Sequence, residues 1–262
     1  MPHVGCSPCY LIGMIAVESL SKSYGEHVAV RSLSFTVEPG QILGLVGPNG
    51  AGKTTTLRMI AGVHAPNGGT ATVAGFDILA QPLEAKRHLA LVPDQPELFA
   101  SLTVWEHLEL AALVYQVDGW QAEASELLAE LELTDRRDTI VAELSRGMRQ
   151  KVMLSCALLH RPAALLLDEP LVGLDPRGMR TLFAAIARRA SEGAAVILSS
   201  HILSQVERLC SRFLILRKGE LVLHGTKQEI ASQLACRDDG ASLEQLFFDA
   251  TEGIRAGAPP VP

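Results

Sequence analysis

The stretch "QILGLVGPNGAGKTTTLRMIAGV", residues 41–63, constrains the fold of this chain more than any other. An unbroken apolar run enters a glycine-rich turn, and the turn passes directly into a helical pattern. A continuous apolar run of this kind is a strand buried on both faces, as in the middle of a parallel sheet. Gly47, Pro48, Asn49, Gly50, Ala51, Gly52, Lys53 and Thr54 fit G-x-x-x-x-G-K-[ST] in full, and Thr55 follows. Glycines at these positions let backbone N–H groups converge on phosphate oxygens, and the helix N-terminus adds its dipole. Lys53 is expected to reach the β- and γ-phosphates, and the Thr54 hydroxyl to ligate Mg2+.

The order of elements extends this α/β reading. Strand-like runs "MIAVESL" and "VAVRSLSFTV" precede the glycine-rich turn, the second alternating apolar and polar residues after a one-step slip. "TATVAG" and "HLALVP" follow as strands. From Thr103 to about His160 the period becomes helical, in "TVWEHLELAALVY", "QAEASELLAELEL" and "SRGMRQKVMLSCALLH", which predicts a helical insert. Strand character returns in "AALLLDEP" and "AAVILSSH", separated by a helix over Pro176–Ser191 with proline in its first turn. "ILSQVERLC" predicts a short helix, "RFLILRKGELVLHG" a hairpin turning at Lys218–Gly219, and the remainder a helical tail ending in a frayed "RAGAPPVP".

Bulk properties exclude several classes. The chain of 262 residues is 48% hydrophobic with only 5% aromatics, so Leu, Val, Ile and Ala fill its core. A formal net charge of -6 argues against a protein whose main task is gripping nucleic acid, and none is expected as a partner. No apolar run approaches the ~20 residues of a membrane span. The five cysteines (Cys6, Cys9, Cys156, Cys210 and Cys236) are odd in number and scattered, as thiols in a reducing compartment are. Cys6 and Cys9 form a C-x-x-C near His3, but no second pair completes a zinc site. Residues 1–14 read as a disordered leader, with Met1 and Met14 both open as the native start.

Three further positions carry chemistry. Asp168 ends a buried apolar strand, where a carboxylate is costly unless it meets a cation such as Mg2+. Glu169 follows at the strand's mouth and is suited to polarise an attacking water as general base. His201 ends "VILSSH" at another strand's C-terminal edge, where ligands of open α/β sheets gather.

In this order the motifs resemble the ATP-binding subunit of an ABC transporter, over about residues 15–225. The resemblance rests on the phosphate loop, on "LLLDEP", on "LSRGM" at the family's signature position, on "GLDP" with Asp175 at the D-loop aspartate, on the switch histidine His201, and on Tyr24, which matches the aromatic that stacks on adenine. It implies a P-loop NTPase core, α/β, with a mixed, mostly parallel sheet, an antiparallel β subdomain and a helical insert at about 96–160; residues 226–262 would be a C-terminal helical extension and frayed tail. It implies ATP and Mg2+ as cofactors, with Thr54, Asp168 and Gln95 on the metal and Glu169, His201 and Lys53 catalytic. It further implies a second ATPase copy, a separate transmembrane permease, and a peripheral place on the cytoplasmic face of the membrane.

Two departures stand out. The signature usually reads L-S-G-G-Q, whereas here it is Leu144, Ser145, Arg146, Gly147, Met148. Ser145 and Gly147 survive, and in the family these approach the phosphate of a partner copy, with Met148 beside them. Arg146, Arg149 and Lys151 load a helix start with charge of the wrong sign for its dipole, at roughly 0.3–1 kcal/mol per cation. Either a triphosphate arriving in trans offsets this, or the arginines snorkel into water. The second departure is "VPDQPELF", where Asp94 follows the strand-ending proline and Gln95 comes one place later, leaving both open for the Q-loop role. Both departures and "SLEQLFFDATEG" resemble a subgroup that works with a separate permease, often in export. Phe99, Leu102 and Trp105 are candidates for the permease dock, Trp105 equally for the core. The rival readings are a soluble ABC-type ATPase of translation or repair, which would carry a second cassette or a long coiled coil, and a non-transport ATP-sensing regulator, which intact Glu169 and His201 disfavour.

Overall fold

The computed structural model describes residues 14–234 and 242–251; the cysteines at 6, 9 and 236, the leader and the tail end beyond residue 251 lie outside them. Among the described residues the strands form two sheets. The first is antiparallel, ordered β2 (His27–Val37), β1 (Ile15–Tyr24), β4 (Gly68–Val73), β5 (Phe76–Asp77). The second is ordered β10 (Glu220–Gly225), β9 (Arg212–Arg217), β3 (Ile42–Val46), β8 (Ala195–Ser200), β7 (Ala164–Asp168), β6 (Leu89–Val92). Its strands are parallel except β10, which returns from β9 as the predicted hairpin through Lys218 and Gly219, both at positive φ.

The parallel strands read as unbroken apolar runs because both of their faces are covered. Side chains alternate across a strand, so Ile42, Val46, Leu165, Leu167, Val196 and Leu198 join one core, while Leu43, Leu45, Leu166 and Ile197 join another. The second core is closed by the antiparallel sheet and by α1 (Lys53–Ile60), through Ile15, Val17, Val30, Leu33, Leu57 and Ile60. The first is closed by helices α3 (Val104–Tyr115), α4 (Gln121–Glu130), α5 (Arg146–Leu159), α6 (Pro176–Ser191), α7 (Leu203–Leu209), α8 (Lys227–Gln233) and α9 (Leu243–Thr251). A short helix α2 (Pro82–Arg87) precedes β6. The slip in β2 is a bulge: register shifts fall between Val17 and Ser23, and Ser19 and Ser32 take positive φ.

Helix starts follow their caps. Thr103 and Glu106 form a reciprocal capping box on α3, Thr226 and Glu229 another on α8, and Ser145 and Asp175 cap α5 and α6. Burial pushes the thiols of Cys156 and Cys210 up to about 12, so both are inert core fillers at neutral pH.

At the C-terminal end of α5, His160 stacks on Tyr115 with ring centroids 3.6 Å apart. Burial lowers its pKa from 6.5 to about 4, and the positive charge of Arg189 adds to this. The unfolded chain takes up a proton near the ordinary value and the folded one does not. His160 therefore leaves stability intact above about pH 6.5 and erodes it as pH falls toward 4. His160→Phe keeps the stack and removes the titration. Thermal melts of the two proteins are expected to run parallel above pH 6.5 and to diverge below it, wild type falling faster.

Candidate functional site

The phosphate loop leaves β3 at the sheet's C-terminal edge, and its glycines have specific reasons. A Cβ on Gly47 would fall 2.5 Å from the Leu216 carbonyl oxygen, and one on Gly52 would fall 2.5 Å from that of Ala29. Gly50 and Gly52 also take φ of 79° and 102°, which favours glycine. The β9–β10 turn braces the loop from outside: Gly219 N–H donates to Ala51 O at 3.1 Å, and Arg31 N–H donates to Gly219 O at 2.7 Å. Lys53 is 6% exposed, and its ammonium donates to Gly47 O at 2.7 Å and Pro48 O at 3.3 Å.

The ends of β7 and β8 converge beside it. Asp168 is 2% exposed and accepts from Ser199 Oγ at 2.6 Å. Ser199 Oγ in turn accepts from Glu169 N–H at 3.0 Å, so one hydroxyl links β8 to both carboxylate residues of β7's end. Glu169 takes φ 47°, unusual for a residue other than glycine and more so before a proline. Strain of this kind persists where the surroundings fix it, and it is common at functional sites. It turns the Glu169 carboxylate between two bases. Oε1 lies 3.6 Å from Lys53 Nζ, and Oε2 lies 2.9 Å from His201 Nδ1. A carboxylate only accepts, so Nδ1 carries a proton and Nε2 of the exposed imidazole remains to meet a ligand.

An open cleft of about 360 Å³ lies over the loop, lined by Asn49, Gly50, Ala51, Gly52, Lys53, Thr54 and Thr55 together with Tyr24, Asp94 and Glu169. His27 and Ala29 also line it, and sequence reasoning missed both. The Tyr24 ring stands at one margin, 47% exposed, with His64 edge-on at 6.1 Å and the Lys22 ammonium 5.3 Å from its centroid. Asp94 and Gln95 part company here. Asp94 faces this cleft, whereas Gln95 lines a separate one with Pro96, Arg146 and Arg149.

Ser145, Gly147, Met148 and Asp175 do not line the phosphate-loop cleft. They form a second surface, where the N-terminus of α5 abuts the turn before α6. Ser145 is exposed, its Oγ accepting from Met148 N–H at 3.3 Å, and Asp175 Oδ1 accepts from Gly178 N–H at 2.7 Å. Arg146 lies along Gly173, and the Nε of Arg149 is buried without a partner among the described residues. Phe99 is 62% exposed, while Trp105 packs on Trp120 and under the Arg137 guanidinium.

The donor set fits a hard cation. Thr54 and Asp168 offer oxygens, and the described residues hold no group of three or more His, Cys, Asp or Glu that would cage a metal alone. Mg2+ binds in this way, through one or two protein oxygens with phosphates and water completing its shell.

Comparison with known proteins gives a consistent picture. A family model described as ABC transporter matches residues 30–172. The chain is 36% identical over 243 residues to the ABC-type transporter ATP-binding protein EcsA of Bacillus subtilis (strain 168), spanning 92% of this chain and 98% of that one. It is 36% identical to the Nod factor export ATP-binding protein I of Paraburkholderia xenovorans (strain LB400), over 85% of this chain and 74% of that one. A solved structure of the ATP-binding subunit of an ABC transporter superposes with a TM-score of 0.87 at 36% identity, covering 91% of this chain and 100% of that chain.

Proposed function

The chain belongs to the ABC transporter family as an ATP-binding, ATP-hydrolysing subunit, and on that premise we propose that two copies close head-to-tail across two ATP molecules to drive export through a separate membrane permease. The observation that carries this reading is the division of the phosphate-binding groups between two surfaces. Lys53, Thr54 and Glu169 line one cleft, while Ser145 and the N-terminus of α5 lie away from it. A helix N-terminus with an exposed serine hydroxyl is suited to an anion, and a second copy supplies one.

Each ATP lies with its base against Tyr24 and its phosphates on Gly47–Thr55. Lys53 meets the β- and γ-phosphate oxygens, and Ser145, Gly147 and Met148 of the second copy close over the γ-phosphate. Mg2+ fits at Thr54 and Asp168, where it would neutralise phosphate charge. Asp94 takes the nucleotide side of its loop. Glu169 accepts a proton from the attacking water, the Pγ–O bond to the ADP leaving group breaks, and the imidazole of His201 positions the γ-phosphate. ATP favours the closed pair because it binds that state better, and hydrolysis removes the preference. Asp175 lies at the same closing surface.

Among the described residues no helix is long and apolar enough to cross a membrane; the translocation path is assigned to the separate permease. Export is supported by relatives named for it, the Nod factor export ATP-binding proteins I. The exposed Phe99, after Asp94, is the leading contact for the permease. The test is co-expression with multi-span membrane proteins, starting with any encoded beside this chain. Membrane recovery that depends on such a protein, with ATP hydrolysis stimulated in proteoliposomes, is the expected result. Recovery on ribosomes or DNA instead overturns it in favour of a translation or repair ATPase.

A further inference from the structure

Glu132 follows α4 in the turn leading toward α5, and its φ is 58°. Left-handed backbone is disfavoured for any side chain, and glycine would sit there without cost. The carboxylate explains why a glutamate does. Its Oε2 accepts from Lys151 Nζ at 3.3 Å, and its Oε1 accepts from Arg177 Nε at 2.8 Å, with Arg177 Nη2 at 2.6 Å. Lys151 belongs to α5, the helix capped by Ser145, and Arg177 belongs to α6, the helix capped by Asp175. One strained residue thus ties together the two helices whose N-termini form the second surface.

The start of α5 also touches the turn before α6. A Cβ on Gly147 would lie 3.0 Å from Gly173 O, so the backbones approach closely there. The Arg146 side chain lies across Gly173 on the other side. These contacts set how near the helix starts approach. Van der Waals contact resists closer approach but not sliding, and the Glu132 bridge supplies the lateral restraint. The charge-assisted contacts with Arg177 hold the Glu132 carboxyl below its usual range.

We propose that Glu132 is a positioning residue for ATP hydrolysis, fixing the α5 and α6 starts as one surface so that Ser145 and Asp175 reach a second copy's nucleotide together. This rests on the head-to-tail reading. Binding across a preorganised surface avoids the cost of ordering it, and a surface that samples several arrangements binds in proportion to its competent fraction.

The experiment uses the full chain carrying Glu169→Gln, which holds ATP unhydrolysed, with and without Glu132→Gly. Glycine relieves the backbone at position 132, so the melting temperature is expected to hold or rise. ATP affinity of the monomer is expected to be unchanged, because Glu132 does not line the phosphate-loop cleft. The dimerisation constant in Mg-ATP is expected to weaken by about three- to tenfold, the range of two partly exposed charge pairs. Arg177→Ala removes the bridge at a side chain 74% exposed, and the same loss is expected whether or not the glycine variant folds. Dimerisation unchanged in Arg177→Ala, or in a folded Glu132→Gly, overturns the positioning role. A Glu169→Gln parent that stays monomeric in Mg-ATP overturns the head-to-tail reading, and this inference with it.

Discussion

Replacing Glu169 by glutamine is expected to lower ATP hydrolysis by about 10²- to 10⁴-fold, the usual contribution of a positioned general base, while a nucleotide-bound dimer accumulates. The geometry separates these two effects. Glutamine is isosteric, so the φ 47° turn before Pro170 and the Ser199 hydroxyl bridge to its backbone are unaffected. What disappears is the basic oxygen between Lys53 and His201, and with it one negative charge facing the cleft. Water can no longer surrender its proton there, so the γ-phosphate stays. Loss of a carboxylate near the triphosphate also removes like-charge repulsion, so nucleotide affinity is expected to hold or improve. Light scattering in Mg-ATP should report a dimer that persists, where wild type returns to monomer as ATP is consumed. A variant that hydrolyses at the wild-type rate would show that the base lies elsewhere, with His201→Ala the next substitution to measure.

The parts of this site legible in sequence were those set by local rules. The apolar runs ending in Val46, Asp168 and Ser200 could only be strands buried on both faces, and ligands gather at the C-terminal ends of such strands. Pro176–Ser191 reads as a helix because its cap, first-turn proline and apolar period agree, and the structure places α6 over the same residues. Illegible were features fixed by distant partners. β1 continues past Leu20 through Ser21, Lys22 and Ser23, where nothing in the side chains announces a strand; pairing with β2 carries it. Phe76–Asp77 and Pro82–Arg87 are too short for a period to show. Asp94 and Gln95 are neighbours in sequence yet line different clefts, a choice made by the direction in which the chain leaves β6. Ser199 is one serine of "VILSSH" whose role depends on β7 lying beside it. Glu132 looks like an ordinary helix end until Lys151 and Arg177, 19 and 45 residues away, are brought to it.

Lys53→Ala is the second large effect expected, and its size follows from what the ammonium already holds. At 6% exposure the cation is satisfied by the Gly47 and Pro48 carbonyls and faces Glu169. Phosphate binding exchanges neutral acceptors for charged ones. Hydrogen bonds to charged groups contribute about 1.5–3 kcal/mol each, against about 1 for a neutral pair. Truncation to alanine also leaves Glu169 without its nearest cation, so the cleft turns more negative just where a triphosphate must enter. Together these predict ATP binding weaker by about 10- to 100-fold, roughly 1.4–2.8 kcal/mol. The ligand series locates the loss. Lys53 is assigned to the β- and γ-phosphates, so affinity for ATP should fall most, ADP less, and AMP hardly at all. Calorimetric titration of the three nucleotides measures this directly. A uniform loss across the series would mean that alanine had deformed the loop rather than removed a phosphate contact. An unchanged ATP affinity would remove Lys53 from the site altogether, because among the described residues its ammonium pairs with no carboxylate other than Glu169.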